Sequence, residues 1–311
     1  MVVPKIAYIS KRFSKTSKAI IAHAAQICSD YAAQGFDLTL RQLYYQFVSR
    51  GLLPNRQSEY KRLGSVVNDA RMAGLLDWNY IVDRTREMKE RSHWEDPAGI
   101  IESAAKSYGI DQWEGQECKV EVWIEKDALI GVIERVCRDL DVPYFSCRGY
   151  TSQSEMWRAA KRLMLYARDG GHKPVILHLG DHDPSGIDMT RDIRERLTLF
   201  MEAHGFDAVE VKRIALTMQQ IQQYNPPPNP AKLTDSRIQD YITEHGYDSW
   251  ELDALDPVVM SDLIRREVES LMDIDLWTER VDLEEEGRNL LIEASARWSD
   301  VSKLLMEGEG E

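Results

Sequence analysis

The residues Asp181-His182-Asp183-Pro184-Ser185-Gly186 separate two segments of different character. Residues 174–180 before them form an apolar run that predicts a buried parallel strand, and residues 187–200 behind them predict a helix. The two aspartates would then lie at the carboxyl end of a strand, where open α/β sheets bind their ligands. Positions i and i+2 of an extended segment point to the same side, so both carboxylates can face one cation.

Another acidic residue follows a predicted strand further upstream. Residues 120–124 alternate apolar and polar side chains before Glu125, and a helix is predicted over residues 128–140. Glu125 would join Asp181 and Asp183 at the ends of strands. Three carboxylates form an oxygen-only site that suits Mg²⁺, with Mn²⁺ as a substitute, rather than zinc. Aspartates after strands also cap helices and form turns, so a capping role stays open as the alternative.

This arrangement resembles the Toprim domain, which has a glutamate after its first strand and a DxDxxG sequence after a later one. The matching residues are Glu125, Asp181, Asp183 and Gly186. Toprim domains occur in topoisomerases, bacterial primases and some nucleases. The resemblance therefore implies an α/β domain with a central parallel sheet, but does not by itself specify the reaction.

The composition is that of a globular protein. The chain has 311 residues, enough for two domains, and is 43% hydrophobic and 29% charged. No apolar run has membrane-spanning length, and the N-terminus lacks a signal-peptide pattern. The four cysteines are scattered without metal-ligand spacing, which favours reduced thiols. We therefore expect a cytoplasmic protein without a membrane partner, associated with the nucleoid if the source is prokaryotic or viral.

Charge is distributed unevenly along the chain. The net charge is −13, yet residues 1–93 contain 15 Lys and Arg against 8 Asp and Glu. Residues 201–311 contain 10 basic against 25 acidic residues. A basic N-terminal third on an acidic body is typical of a DNA-binding module fused to another domain, although a solvated surface would also explain the small surplus.

The N-terminal third predicts three consecutive helices. They cover residues 14–34, 40–50 and 58–73, each ending at a glycine, and Thr39 is a candidate N-cap for the second. Residues 75–82 predict a short strand and turn. Three helices followed by a β wing describe a winged helix.

The third helix of a winged helix usually enters the major groove of double-stranded DNA. In this chain it carries Lys61, Arg62 and Arg71, which are our candidates for contacts with phosphates or bases.

Two adjacent tyrosines of the second helix have different predicted environments. The helical period gives an apolar stripe made of Leu40, Leu43, Tyr44, Phe47 and Val48. Tyr44 would belong to the core, whereas Tyr45 would project from the stripe beside Arg41. A guanidinium next to a phenol can hold a phosphate and lower the cost of forming phenolate. The alternative is an ordinary half-exposed tyrosine.

The segment Thr39-Leu-Arg41-Gln-Leu-Tyr44-Tyr45 resembles the active-site segment of the A subunit of topoisomerase VI and of the related meiotic double-strand-break protein. In that family a winged helix with a nucleophilic tyrosine precedes a Toprim domain. The resemblance covers residues 14–275 and includes Glu251-Leu-Asp253-Ala-Leu255, similar to the family's "ELDAL" stretch. It implies Tyr45 as nucleophile and Arg41 as its partner, with Glu125, Asp181 and Asp183 as metal ligands.

The resemblance also implies an activity and a domain organisation. The activity would be Mg²⁺-dependent cleavage of double-stranded DNA through a 5′-phosphotyrosyl intermediate, carried out by a homodimer. The winged-helix domain would cover residues 1–93, a linker residues 94–117, and the Toprim domain with a helical extension residues 118–311. The chain is most similar to the compact "mini-A" members reported from mobile elements. It contains no ATPase motif, so an ATPase partner would be a separate subunit.

Two other functions stay open from the sequence. A Toprim nuclease or primase would need no covalent intermediate, and Tyr45 would then be a surface residue. A non-enzymatic winged-helix regulator would bind DNA and use its acidic cluster for structure only.

Overall fold

The computed structural model describes residues 6–82, 91–231, 235 and 237–307, which form an α/β structure. The helices are α1 Lys15–Ala33, α2 Leu40–Ser49, α3 Gln57–Met72, α4 Pro97–Ser107, α5 Ile130–Asp139, α6 Gln153–Asp169, α7 Pro184–Glu202, α8 Met218–Tyr224, α9 Ile238–His245, α10 Pro257–Glu269, α11 Ile274–Ala296 and α12 Trp298–Glu307. The strands are β1 Cys118–Ile124, β2 Tyr144–Ser146, β3 Lys173–Leu179, β4 Glu210–Ala215, β5 Asn229–Pro230 and β6 Asp248–Ser249.

The central sheet is parallel, with the order β2-β1-β3-β4. β2 lies on one side of β1. The chain then crosses to β3 on the other side of β1, and β4 follows beyond β3. The direction of winding therefore reverses between β1 and β3, and such a reversal opens a crevice at the carboxyl ends of the strands. β5 and β6 form a separate antiparallel pair.

Helices cover both faces of the sheet. Alternate residues of β1 and β3 pack against α5 and α10 on one face and against α6 and α7 on the other. All of β1 is buried, including the polar Lys119 and Glu121 of its alternating pattern. Lys119 bonds Asp111, and Glu121 receives two hydrogen bonds from Arg162, which compensates the burial of both charges.

The first three helices form a core of their own, centred on residues such as Ile27, Leu43 and Leu63. The predicted N-cap is confirmed: Thr39 Oγ1 accepts from Gln42 N, and the Gln42 side chain accepts from Thr39 N. The reciprocal pair satisfies two backbone donors at the start of α2.

Over residues 75–82 the predicted turn is present, but the predicted short strand is not. Residues Trp78–Tyr80 form a 3₁₀ turn, and the segment makes one isolated bridge, between Leu38 and Ile81. Asp77 caps the turn by accepting a hydrogen bond from Asn79 N. The Arg71 guanidinium donates hydrogen bonds to the carbonyls of Trp78 and Ile81. These contacts use backbone groups that a β-hairpin would need. Residues 83–90 lie outside the described residues.

The segment predicted as a linker, residues 94–117, contains α4, which packs along α11. Ser295 on α11 donates to Ala98 O on α4, and Glu284 accepts from Ile110 N. The segment therefore forms specific contacts with the C-terminal helices.

Candidate functional site

Glu125 and Asp181 meet where the winding of the sheet reverses. Glu125 follows β1 and Asp181 lies just after β3, and the register pairs Ile124 with Leu179 directly before them. Glu125 Oε2 accepts a hydrogen bond from Asp181 N at 2.8 Å. Two of the three carboxylates that the sequence placed at strand ends are thus neighbours at the carboxyl end of the sheet.

Both carboxylates are buried, and their ionisation is disfavoured. Burial and the nearby Asp181 raise the pKa of Glu125 to about 7. Burial also raises the pKa of Asp181, although Lys126 and a hydrogen bond from Leu252 N act in the opposite direction. The edge of the sheet therefore holds negative charge at a considerable energetic cost.

Asp183 caps a helix with one of its oxygens. Asp183 Oδ1 accepts from Gly186 N at 2.6 Å and from Ser185 Oγ at 2.9 Å, at the start of α7. A Cβ atom at Gly186 would lie 2.2 Å from Asp181 O, so the turn requires glycine. The capping alternative is therefore realised for this oxygen.

Lys126 was missed by sequence reasoning, although it directly follows Glu125. Its Nζ lies 2.8 Å from carboxylate oxygens of Asp181, Glu251 and Asp253. Burial alone would lower the pKa of Lys126, but these three carboxylates outweigh it and raise the pKa. Lys126 is thus a fixed internal cation of the acidic cluster.

The segment with Glu251 and Asp253 is held by a backbone bridge. His182 and Trp250 exchange two backbone hydrogen bonds, of 2.8 and 3.0 Å. Leu252 N then donates to Asp181 Oδ1 at 2.7 Å. The acidic cluster therefore contains residues from three segments that are distant in sequence.

The donor set of the cluster fits a divalent cation. Its side chains supply carboxylate oxygens, and Asp253 Oδ1 is buried without a hydrogen-bond donor among the described residues. Burial and the nearby Asp181 raise the pKa of Glu125, so a further cation here would favour the ionised form of both carboxylates. Within the described ranges, no three His, Cys, Asp or Glu side chains are already arranged as a metal site. The ion pair of Lys126 with Asp181 and the helix-capping role of Asp183 explain why these side chains are not already arranged as a metal site.

Arg213 on β4 supports the loop after β3 and was also missed. Its guanidinium donates to the carbonyls of Gly180, Asp181 and Gly186 and to Thr190 Oγ1. Burial lowers the pKa of Arg213 to about 10. In the sequence it resembles any polar residue of a half-exposed strand, so no local signal identifies it.

Tyr45, predicted to project from the apolar stripe beside Arg41, is not exposed to solvent. Tyr45 is 5% exposed, almost as buried as Tyr44 at 4%. The apolar stripe buries one side of α2, and residues such as Asn229 and Glu251 lie on the side that carries Tyr45. Burial and Glu251 raise the pKa of Tyr45, and the lowering effects of Asn229, Arg41 and Lys126 do not cancel this rise.

Arg41 lies beside Tyr45, as expected, but its charge is already paired. Its guanidinium carbon is 5.8 Å from the centre of the Tyr45 ring, and its nitrogens bond Glu251 and Asp253. Burial would lower the pKa of Arg41, yet Asp253 and Glu251 outweigh it and raise the pKa. Since Glu251 and Asp253 also bind Lys126, ion pairs connect α2 continuously to Asp181.

Tyr45 borders a cavity of about 230 Å³ that lies between the α2–α3 region on one side and residues 229 and 251 on the other. The lining residues are Arg41, Tyr44, Tyr45, Asn55, Arg56, Gln57, Tyr60, Asn229 and Glu251. The Tyr44 hydroxyl accepts from Arg56 N at 2.7 Å and so fixes the start of α3 at the mouth of the cavity. The Arg56 side chain forms no hydrogen bond or ion pair with any residue that the structure describes.

The three basic candidates on α3 differ in their surroundings. Lys61 and Arg62 are exposed, and Arg62 bonds Glu59 on the same helix. Arg71 is half-buried, and its guanidinium is engaged by the carbonyls of Trp78 and Ile81. Arg71 therefore serves the fold, whereas Lys61 and Arg62 face solvent.

Comparison with models of known protein families and with curated proteins gives no match. Among the helices in the described ranges, none combines the length and apolar character needed to cross a lipid bilayer.

The pKa of Glu125 predicts a pH-dependent stability. This pKa is raised from 4.5 in the unfolded chain to about 7 in the folded protein, so protonation of Glu125 favours the folded state. The contribution of the protonated carboxyl to the free energy of unfolding is fully present below pH 4.5 and is lost as pH rises through 7. Glu125→Gln removes the buried charge and should raise the free energy of unfolding at pH 8 by about 1–3 kcal/mol, with no gain at pH 4. Urea unfolding of both proteins in the presence of a metal chelator measures the difference in the free energy of unfolding. Glu117→Gln, at an exposed carboxylate before the opposite end of β1, serves as control. Equal effects of Glu125→Gln at both pH values would contradict the account.

The acidic cluster predicts stabilisation by a divalent cation. Mg²⁺ or Mn²⁺ at about 100-fold above its Kd should raise the free energy of unfolding by about 2.7 kcal/mol. Asp181→Asn should abolish the effect, whereas Asp207→Asn, an exposed control, should retain it. Thermal unfolding with and without the cation gives the answer, and a wild-type protein that responds to neither ion would show that the cluster is structural.

Proposed function

We propose that the chain cleaves double-stranded DNA by attack of Tyr45 on a backbone phosphate, in the manner of a topoisomerase VI A subunit. The observation that carries this proposal is the continuous set of ion pairs from Arg41, beside Tyr45, through Glu251 to Lys126 and Asp181. A tyrosine, an adjacent cavity and a carboxylate cluster at a sheet edge are the parts that such a reaction needs. The winged-helix and Toprim assignments belong to the same proposal.

The chemistry is a transesterification. The Tyr45 oxygen bonds to phosphorus while the bond from phosphorus to the 3′ oxygen breaks. The phenol loses its proton, and the 3′ oxygen leaves as a hydroxyl. The product is a 5′-phosphotyrosyl link, and reversal of the same steps would reseal the strand.

The cations near Tyr45 have different roles in this proposal. Arg41 is held by two carboxylates, so it orients the Tyr45 ring more than it neutralises phosphate. Arg56 lines the same cavity with a guanidinium that no described residue engages, which makes it the better phosphate-binding group. Glu125, Asp181 and Asp183 would hold Mg²⁺, which when bound supplies neutralising charge at the transferring phosphate.

The proposed substrate sets the expected partners. Each chain offers one Tyr45, so cutting both strands of DNA requires two copies, in agreement with the homodimer that the resemblance implies. A separate ATPase subunit would be needed only for ATP-driven strand passage. Lys61 and Arg62 on α3 are the exposed charges that would meet the DNA backbone.

One observation favours the rival function of a Toprim nuclease or primase. Tyr45 is buried and its pKa is raised by burial, as expected for a structural tyrosine. In that function the acidic cluster would act without a covalent intermediate. A covalent protein–DNA adduct separates the two functions.

The two adjacent tyrosines provide a matched test. Tyr45→Phe should abolish the covalent adduct, because the nucleophilic oxygen is lost. Tyr44→Phe should retain it at a cost of about 1 kcal/mol in stability, since only the hydrogen bonds to residues 54–56 disappear. Plasmid DNA incubated with protein and Mg²⁺ or Mn²⁺, then denatured with and without protease, reveals the adduct on gels. An adduct formed by Tyr45→Phe would refute the nucleophile assignment, and cleavage by wild type without any adduct would support the nuclease.

DNA binding should depend on salt through the exposed charges of α3. Each phosphate contact contributes about −0.9 to the slope of log K against log salt concentration. The double variant Lys61→Ala, Arg62→Ala should reduce the size of that slope by about 2, whereas Lys161→Ala on α6 should leave it unchanged. Fluorescence anisotropy of a labelled duplex at several salt concentrations measures the slopes. Equal slopes for all three proteins would place the DNA elsewhere.

A further inference from the structure

Asn229 reaches the Tyr45 cavity from a distant part of the chain. It belongs to β5, where it pairs with Ser249 of β6, and Ser249 Oγ donates to Asn229 O. The next residue after β6, Trp250, is bridged to His182 in the loop that carries the aspartates. The backbone of Asn229 is therefore fixed relative to the acidic cluster, and its side chain lines the cavity beside Tyr45.

The orientation of the Asn229 amide is determined by Asn55. Asn55 Nδ2 donates to Asn229 Oδ1 at 2.7 Å and to Pro228 O at 3.3 Å. A flipped Asn229 amide would place two NH₂ groups against each other, so the hydrogen bonds select one orientation. With its oxygen turned toward Asn55, the amide presents its NH₂ group to other partners.

The charged groups around Tyr45 largely offset one another, so the Asn229 amide can influence the ionisation of the phenol. Glu251 faces the phenol and disfavours phenolate, whereas Arg41 and Lys126 favour it. Both cations are themselves bound to carboxylates. The Arg56 side chain, also at the cavity, forms no hydrogen bond or ion pair with any described residue. Asn229 is the neutral amide in this group: it lines the same cavity as Tyr45, and its NH₂ group acts to lower the pKa of Tyr45 against the rise caused by burial.

We propose that Asn229 is a positioning residue for Tyr45: its side-chain NH₂ group donates to the phenol oxygen, directs that oxygen into the cavity and stabilises its ionised form. The catalytic consequence rests on the proposed function, but the hydrogen bond itself does not. A buried phenolate needs such a donor, because desolvation penalises the charged form and an amide hydrogen bond partly replaces water.

The hydrogen bond can be tested without any activity. 3,5-Difluorotyrosine incorporated at position 45 of the full chain titrates at lower pH than tyrosine, and its ¹⁹F resonance reports the ionisation. In Asn229→Ala the midpoint should move to higher pH, because the donor to the phenolate is gone. Gln57→Ala removes another amide from the same cavity and should leave the midpoint in place. An unchanged midpoint in Asn229→Ala, or an equal shift in Gln57→Ala, would overturn the proposal.

A second variant keeps the test valid if Asn229→Ala does not fold. Asn55→Ala leaves Asn229 in place but removes the partner that orients its amide, so the midpoint should again move upward. A midpoint equal to that of the parent protein in this variant would also overturn the proposal. Circular dichroism of each variant verifies folding before titration.

The second part of the test measures the rate of adduct formation on a DNA duplex over a range of pH. Asn229→Ala should shift the profile to higher pH and slow adduct formation roughly tenfold at neutral pH, on the scale of one hydrogen bond to a charged group. A slower rate with an unchanged profile would indicate a merely structural role and overturn the proposal. Absence of adduct in the wild type would refute the proposed function, while the ¹⁹F titration would still decide on the hydrogen bond.

Discussion

The burial of carboxylates between the ends of β1 and β3 is the constraint on which the site depends. Glu125 and Asp181 lie side by side there, and the buried Asp253 shares Lys126 with Asp181. Uncompensated buried charge is among the most costly features of a folded protein. Lys126 and Arg213 supply the nearest positive charges, the first through ion pairs and the second by holding the loop after β3.

The same constraint connects the helical N-terminal part to the sheet. Glu251 and Asp253 accept from Lys126 on one side and from Arg41 on the other. Arg41 therefore anchors α2, and with it Tyr45, next to the acidic cluster. A change that alters the charge of the cluster, such as binding of a divalent cation, would also alter the surroundings of the tyrosine.

The sequence predicted what depends on local pattern. The apolar run before Asp181, the strand before Glu125 and the cap at Thr39 were recognisable because strand burial and helix capping are short-range properties. The burial of Tyr45 was not, since the covering residues Asn229 and Glu251 come from far along the chain. The role of Arg213 and the 3₁₀ turn at Trp78–Tyr80 likewise depend on tertiary contacts that no local pattern encodes.

Identification of the residue that carries DNA would test the central claim most directly. A nuclease-trimmed adduct can be digested with protease, and tandem mass spectrometry then locates the nucleotide remnant within residues 42–56. The account predicts a 5′-linked nucleotide on Tyr45 and none on Tyr44. A remnant on Tyr44, or on any residue away from the cavity, would contradict it.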